Sequence, residues 1–504
     1  MPTLLSRVSN KLAVYSTRFV TEQPEENPPR ELYNLLEAYY LNNGLYDYQA
    51  LAMYEDNIWK EALKGLRTVA RRTVEFHVMH VWPGLTNKAS PLEAAGPIID
   101  PIKQIWAWSN WGNNKQLAVR QLAKYGDMFI KVVSEPERSM VYFQLIDPAN
   151  VSRFNVDNRG FITYTRLDIP VLGKNYTTHT EVWDKESLTY TVWHHRRGVD
   201  ASLEALGTPL DQRSLLEFGI DFIPFVHAKF IDNGEKRGMG SFALALDKID
   251  EANRKATRLA QMIFRYNKAI WAISANMLDA SGRPLPAPRI DGASGAPGSD
   301  TITLGDDEVV RLPGMSSLDS LVPNINYSAH LEALKGDMLE LEEELPELTY
   351  YRLKDAGNLS GRALQLLLAA AISKALEARG NAEAALIQAD MMALTMAQSA
   401  QLSGFEERAI GNFESGAFEH GFRERDVIPI SSMERAQEGK IYVEMGLAQK
   451  TALRYMGKSA DEIELAMQEI EESKAAEKAS LAESILQAQR TMDSGQQSNG
   501  LERE

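Results

Sequence analysis

Apolar side chains recur at alternating steps of four and three through YSAHLEALKGDMLELEEELPEL, at Tyr327, Leu331, Leu334, Met338, Leu341 and Leu345. That spacing puts them on one seam of a helix. Pro346 cannot continue the helix and pushes Leu345 toward extended backbone. The next stretch, TYYRLKDAGNLSG, has turn formers and no apolar period, so a short polar loop is expected over 346–360. Ser360 is placed to cap a second helix by accepting bonds from its free N–H groups. That helix carries Leu364, Leu368, Ala371, Ala375, Ala378, Ala382, Leu386, Ala389, Ala393 and Ala397 on one seam, and so many alanines predict close packing against another helix. The chain reads as organised around this helix–loop–helix unit.

A second heptad-like seam runs through 240–270, at Phe242, Leu246, Ile249, Asn253, Ala256, Ala260, Ile263, Asn267 and Ile270. Asparagines in an apolar seam cost stability but fix the register of packed helices. The Pro/Gly/Ser-rich insert over 275–324 separates the two seams, so the helices are expected to run antiparallel and project the insert at one end. Within it, TITLGDDEVVRL reads as two strands around a turn.

Elsewhere the pattern changes by region. Residues 1–30 read as a basic arm followed by a proline-rich linker, and 31–125 as mostly helical, with ELYNLLEAYYLNNG ending at Gly44. From 126 to 235 short runs alternate or stay apolar between Pro, Gly, Asn and Asp: GDMFIKVV, MVYFQLID, FITYTRLDI, TEVWDKE and LTYTVWHH read as strands, with turns at Asp147-Pro148 and Asp157-Asn158. After a turn-rich 405–440 stretch, Ser459 and Glu462 have the spacing of a capping box ahead of a charged, alanine-rich helix to about 490. RTMDSGQQSNGLERE reads as a disordered tail.

Composition adds limits. The 504 residues suffice for several domains. Net charge is −15, unlike a conventional nucleic-acid-binding surface. There is no cysteine, which excludes disulfides and thiolate metal sites. No apolar core of signal-peptide length precedes Arg7 and Lys11, and no run of about 18 apolar residues occurs, so no transmembrane helix is expected.

Few residues offer candidate chemistry. There is no Walker A motif, no GxGxxG after a strand, no HExxH and no GxSxG. His194-His195 is a possible metal pair, but neighbours on a strand point to opposite faces and no third ligand lies at suitable spacing. Trp106, Trp108 and Trp111 offer base stacking, against the plainer reading of packing in a core or subunit interface. The strongest enzymatic alternative is a metal-dependent nuclease built on Asp127 and Asp147 with Lys131; metal nucleases need clustered carboxylates to hold Mg²⁺, and no spacing here is distinctive. A helical scaffold or adaptor without a DNA role is the third reading. The charge run Asp337, Glu340, Glu342, Glu343, Glu344 and Glu347 is a solvated helix face in a monomer. Repeated around a ring it would line a pore with negative charge and repel phosphates within a Debye length of roughly 10 Å. Arg352 and Lys354 on the following loop would then touch a DNA backbone without reading sequence.

The order of parts resembles phage portal proteins, in particular the family typified by the portal of phage SPP1. LAVRQLAKYGDMFIKV followed by FQLIDPANV resembles the family's helix-to-strand entry and its turn. IPFVHAKFIDNGEKRGMGSFALALDKIDEANR resembles the lead into the first stem helix. ELPELTYYRLKDAGNLSGRALQ is similar to an acidic helix end, loop and new helix start, and GLAQKTALRYMGKSADEIELAMQEI to the family's C-terminal ending. The resemblance spans 31–475 and implies an α+β fold, mainly helical. Its parts would be an arm (1–30), a β-rich wing (31–237 with 361–440), paired stem helices (238–270 and 325–345), a clip (271–324), a channel loop (346–360), a helical crown (441–490) and a tail (491–504). It implies a non-enzymatic virion protein at the capsid portal vertex, found in the host cytoplasm during assembly. Such a protein forms a homo-oligomeric ring, a dodecamer, that conducts double-stranded DNA non-specifically during packaging and ejection. It docks terminase, head-completion or adaptor proteins, scaffolding and major capsid protein, with no cofactor, metal or membrane. The implied site residues are Tyr350, Tyr351, Arg352, Lys354 and Asn358 in the channel loop, Asp337, Glu340, Glu343, Glu344 and Glu347 on the acidic stem, and Leu331, Leu334, Met338 and Leu341 in stem packing. The glycine-rich 291–299 segment and the few charges in the channel loop depart from the family pattern.

Overall fold

The structure is a computed structural model. It describes residues 30–41, 68–83, 92–94, 97–171, 177–199, 201–266, 271–275, 281, 283, 316–320, 326–353, 361–406, 419–428, 432–456 and 460–498. The described chain opens with α1 (Arg30–Leu41), α2 (Val69–His80), β1 (Leu92–Ala94), α3 (Ile99–Trp108) and α4 (Trp111–Tyr125). A run of strands follows: β2 (Asp127–Glu135), β3 (Met140–Ile146), β4 (Val151–Val156), β5 (Ile162–Val171), β6 (Thr177–Asp184), β7 (Thr189–His195), β8 (Asp211–Ser214) and β9 (Phe225–Lys229). Then come α5 (Leu246–Tyr266), β10 (Trp271–Ala275), β11 (Ser316–Ser320), α6 (Tyr327–Glu344), α7 (Glu347–Leu353), α8 (Gly361–Leu367) and α9 (Ala369–Ser399). β12 (His420–Phe422), α10 (Ser432–Glu444), α11 (Gln449–Tyr455) and α12 (Ala460–Ser498) complete the order. The fold is α+β. No helix among the described residues is long and apolar enough to cross a membrane. The chain divides into two compact units, one holding Arg30–Leu41 and the described residues from Val69 to Leu244 and from Leu345 onward, the other Thr68 and the described residues between Ala245 and Glu344.

In the first unit β3, β2 and β9 form one antiparallel sheet, and β4 to β8 form an antiparallel meander in chain order. β2 is buried at its first four positions, on both of its alternating faces; a strand covered on both sides reads as an apolar run rather than an alternation. The turn expected at Asp157-Asn158 is there: Asp157 Oδ1 accepts the N–H groups of Arg159 and Phe161 at 2.8 and 2.9 Å. Asp147 caps the single 3-10 turn after it by accepting the N–H of Ala149 at 3.0 Å. β4, β8 and β9 were not legible in the pattern, because they are short or polar and gain their identity from neighbours. The strand pair expected in TITLGDDEVVRL falls outside the described residues, whereas Trp271–Ala275 and Ser316–Ser320 pair antiparallel at the two ends of the insert.

The alanine seam is real, and its partner differs from the expectation. Ala371, Ala375, Ala378, Ala382, Leu386, Ala389, Ala393 and Ala397 are all buried. They lie chiefly against the β3-β2-β9 sheet rather than against another helix. Small side chains let a helix approach any flat packed surface, and periodicity does not say whether that surface is a helix or a sheet. Polar side chains at the rim of α9 tie down other elements. The guanidinium of Arg379, buried and thereby lowered to about 10, donates to the carbonyls of His80, Val81 and Arg425 at 2.7, 2.7 and 2.6 Å. Two of these cover the otherwise unpaired end of α2.

One further expectation changes, and another falls outside the described residues. The C-terminal tail stays helical to Ser498, so the boundary drawn at 491 is corrected: alanine, glutamine and charged residues propagate a helix already begun. Ser459 lies outside the described residues, and with it the capping box.

At the exit from the first unit, backbone meets backbone. Gly126 ends α4 at φ +89°, and a Cβ there would lie 2.5 Å from the Gly238 carbonyl oxygen; one on Gly238 would lie 2.2 Å from the Gly126 oxygen. Neither contact tolerates a side chain. Gly126→Ala is therefore expected to destabilise by about 2 to 4 kcal/mol, combining left-handed strain with displaced backbone. Gly160→Ala, at φ +83° where a Cβ would meet only the Gln388 side-chain nitrogen at an ordinary 3.9 Å, is expected to cost about 1 kcal/mol. Denaturant midpoints of the two variants check the ranking.

Candidate functional site

The residues singled out on sequence divide between α6, in the second unit, and α7, in the first. α6 lies antiparallel to α5. Lys255, late in α5, meets Asp337 at 2.8 Å, while Lys248, early in α5, meets Glu340 at 2.7 Å and Glu344 at 2.6 Å. The apolar contact follows the same register: Ala256 and Leu259 pack on Leu334, with Met262 and Tyr327 alongside. Of the stem-packing residues, Leu334 and Leu341 are buried, Met338 is half-buried, and Leu331 is 45% exposed, so the seam is only partly covered within one chain.

The acidic band is less negative than its sequence suggests. Asp337, Glu340 and Glu344 each face a lysine of α5. Hydrogen bonding to Lys248 holds the Glu340 carboxyl below its ordinary range, and Glu340 and Glu344 raise the Lys248 ammonium in turn. Exposed pairs of this kind contribute little stability, but they set register and remove net charge. Glu343 points to solvent.

Glu347 is corrected outright. It is 0% exposed and faces the interior of the first unit. Its Oε1 accepts from His77 Nε2 at 2.8 Å and from Lys374 Nζ at 2.9 Å. Burial alone would raise this carboxyl, but the hydrogen bond from His77 and the Lys374 ammonium outweigh it and bring it down to about 2. Burial lowers His77 below 6.5. With Nε2 donating to Glu347, the neutral ring leaves Nδ1 bare, which suits its having no partner. His77 and Lys374 were missed on sequence; the available signal was a polar residue at seam spacing, His77 after Ala70, Thr73 and Val74, and Lys374 after Ala371.

The expected polar loop is in part a helix. Pro346 breaks the chain after Glu344 as expected, yet 347–353 turn helical as α7 because Leu348 and Glu347 are buried. Tyr350 sits edge-on to Phe76 at 5.5 Å and His80 at 5.3 Å. The Tyr351 hydroxyl donates to the Arg72 carbonyl at 2.9 Å, and burial pushes it up to about 12. Both tyrosines are half-buried in packing rather than presented on a loop. Arg352 is exposed, and Lys354 and Asn358 lie outside the described residues.

The remaining candidates resolve into structural roles. Asp127 is buried and its oxygens accept from the Tyr33 hydroxyl at 2.5 Å, His227 Nε2 at 2.6 Å and the Gly238 N–H at 2.9 Å, so holding a metal would mean dismantling this network. Lys131 is paired with Glu181 at 2.6 Å, and Asp147 is a turn cap. His194 Nε2 meets His179 Nδ1 at 2.7 Å, whereas His195 Nε2 meets Thr180 Oγ1 at 2.8 Å on the other face. Trp106 donates to Asp390 at 2.8 Å and Trp111 packs between Trp82 and Phe143, both in the core, while the half-buried Trp108 stacks on Phe405.

No family model matches the chain, and no curated protein matches it. Among solved structures it is similar to a chain in the neck of a native gene transfer agent particle computed with C12 symmetry, at 13% identity and a TM-score of 0.42, over 78% of this chain and 91% of that one. It is similar to a chain in the neck of an empty particle computed with C6 symmetry, at 14% identity and a TM-score of 0.43, over 78% and 90%. A chain in the virion of the native particle matches at 14% identity and a TM-score of 0.40, over 78% and 90%. Likenesses of this size carry no functional argument, and the chain's own residues must supply it.

Two outcomes follow from the geometry. Glu347 and His77 each have a folded pKa below the unfolded value, so the unfolded chain binds more protons and acid destabilises. Stability is expected to fall as pH drops below 6.5 through His77, and again between 4.5 and about 2 through Glu347. Glu347→Gln should shrink the second fall in a series of thermal midpoints, the part that remains coming from other lowered carboxylates such as Glu181. Separately, Leu334→Ala should cost about 2 to 3 kcal/mol, whereas Leu331→Ala in the isolated chain should stay within about 0.5 kcal/mol, both read by urea unfolding.

Proposed function

We propose that the chain is the subunit of a viral portal, or head–tail connector, of the SPP1 type: a homo-oligomeric ring, a dodecamer, at one capsid vertex. It forms the channel for double-stranded DNA during packaging and ejection and docks terminase, head-completion or adaptor proteins, scaffolding and major capsid protein. The observation that carries the reading is the antiparallel α5–α6 pair, acidic along α6 and prolonged by the β10–β11 ribbon, at the place in the chain where the portal resemblance puts stem and clip. The partly uncovered seam supports it. Leu331, Leu339 and Ile263 stay exposed on this pair, as expected of helices that pack against neighbouring copies.

The lysines of α5 neutralise part of the α6 band, so a DNA-repelling wall rests on the acids left over, Glu343 among them. Glu347 takes no part in it. Of the loop residues, Arg352 and Lys354 keep a proposed backbone contact, and the tyrosines are assigned to packing instead.

Native mass spectrometry and class averages of stained particles test the ring. Twelve-fold end views with a central hole and the mass of a dodecamer are expected. A monodisperse monomer or dimer at every ionic strength, with the other head proteins added, overturns the reading. In rings that form normally, the Arg352→Ala, Lys354→Ala double variant is expected to package or retain less DNA; unchanged packaging removes these residues from the channel.

A further inference from the structure

The chain passes out of the first unit after Leu244 and re-enters it at Leu345. One side chain within the first unit holds both passages. Lys374 Nζ, on α9, donates to the backbone carbonyl of Ser241 at 2.7 Å and to Glu347 Oε1 at 2.9 Å. Ser241 is three residues before the exit and Glu347 two residues after the return. Lys374 is largely buried, with its side chain 18% exposed, and Glu347 is fully buried.

The two passages differ in their other anchors. The outgoing one is fixed by backbone bonds to the first unit: Gly238 N–H to Asp127 at 2.9 Å and Ser241 N–H to the Ala123 carbonyl at 2.8 Å. In the returning one, Leu348 N–H bonds locally to the Leu345 carbonyl and Thr349 N–H to that of Pro346, at 3.0 and 3.2 Å. Its tie to the body of the unit runs through side chains, chiefly Glu347 to His77 and Lys374. An ammonium has three donors on a flexible stem and no acceptor, so one lysine can satisfy a carbonyl and a carboxylate that approach from different segments.

We propose that Lys374 is a latch that fastens the outgoing and returning passages to each other and to α9, so that its two bonds together limit local opening of 239–246 and 345–353. This goes beyond the portal reading and does not depend on it. The latch is a conformational device. Breaking it frees the passages while leaving the alanine seam and the sheet beneath it intact.

Hydrogen exchange by mass spectrometry on the full chain tests this with three variants. Lys374→Met removes both bonds and should speed exchange at least tenfold in peptides over 239–246 and over 345–353. Peptides over 127–135 and 382–397 should keep parent rates. Glu347→Gln weakens only the returning side, so it should speed 345–353 and leave 239–246 unchanged. Lys374→Arg keeps the donors and should restore both. The proposal is overturned if Lys374→Met speeds only one passage, which makes the lysine a simple ion-pair partner. It is also overturned if neither passage responds, or if protection falls evenly across the chain, which makes the residue part of the general core. Should Lys374→Met not fold, Glu347→Gln and Lys374→Arg still decide: loss of protection at 239–246 in Glu347→Gln contradicts the separate anchoring of the two passages.

Discussion

The first unit depends on the contact between the methyl-lined seam of α9 and the β3-β2-β9 sheet. Alanine after alanine, from Ala371 to Ala397, brings a 31-residue helix against the strands along its length. A larger side chain at these positions would push the helix off the sheet, and protein interiors absorb such changes poorly. The approach also places the polar residues at the rim of the helix within reach of several distant segments. Lys374 reaches both passages to the second unit, Arg379 the end of α2, Asn381 the Lys229 carbonyl, and Asp390 both Trp106 and His420. One close packing contact therefore fixes elements that lie hundreds of residues apart in sequence.

Buried carboxylates take up the second level of organisation. Asp127 gathers Tyr33, His227 and Gly238, and Asp168 gathers Ser152, Thr180 and Arg166 across the meander. Each receives several donors, as a carboxylate removed from water requires. Such networks add little net energy compared with apolar packing, but losing one partner strands a charge. They act as register pins, holding strands of the sheets at a single offset where apolar contact alone would allow slippage.

The second unit works on a different principle. α5 and α6 share a narrow apolar strip, and paired lysines and acids on either side give the antiparallel alignment its register. Much of its surface is charged, and some of its seam is bare. In the proposed ring, a helix pair with so small an interior of its own would complete its packing against neighbouring copies.

The sequence by itself determined the helices and most of the longer strands. The break at Pro346, the antiparallel pairing of the two seams and the alanine face of α9 were all readable, because they rest on periodicity and local backbone chemistry within a few residues. The mixed α+β class was readable for the same reason. Only the tertiary structure decided what those faces meet. The alanine seam met a sheet instead of a helix, the polar-looking 347–353 segment became helical because Leu348 and Glu347 found an interior, and Glu347 left the acidic row of its sequence neighbours to join His77 and Lys374. These outcomes depend on contacts between residues up to 270 positions apart. A carboxylate is written the same way whether water or a buried lysine will neutralise it, so its fate is settled only when the distant partner arrives.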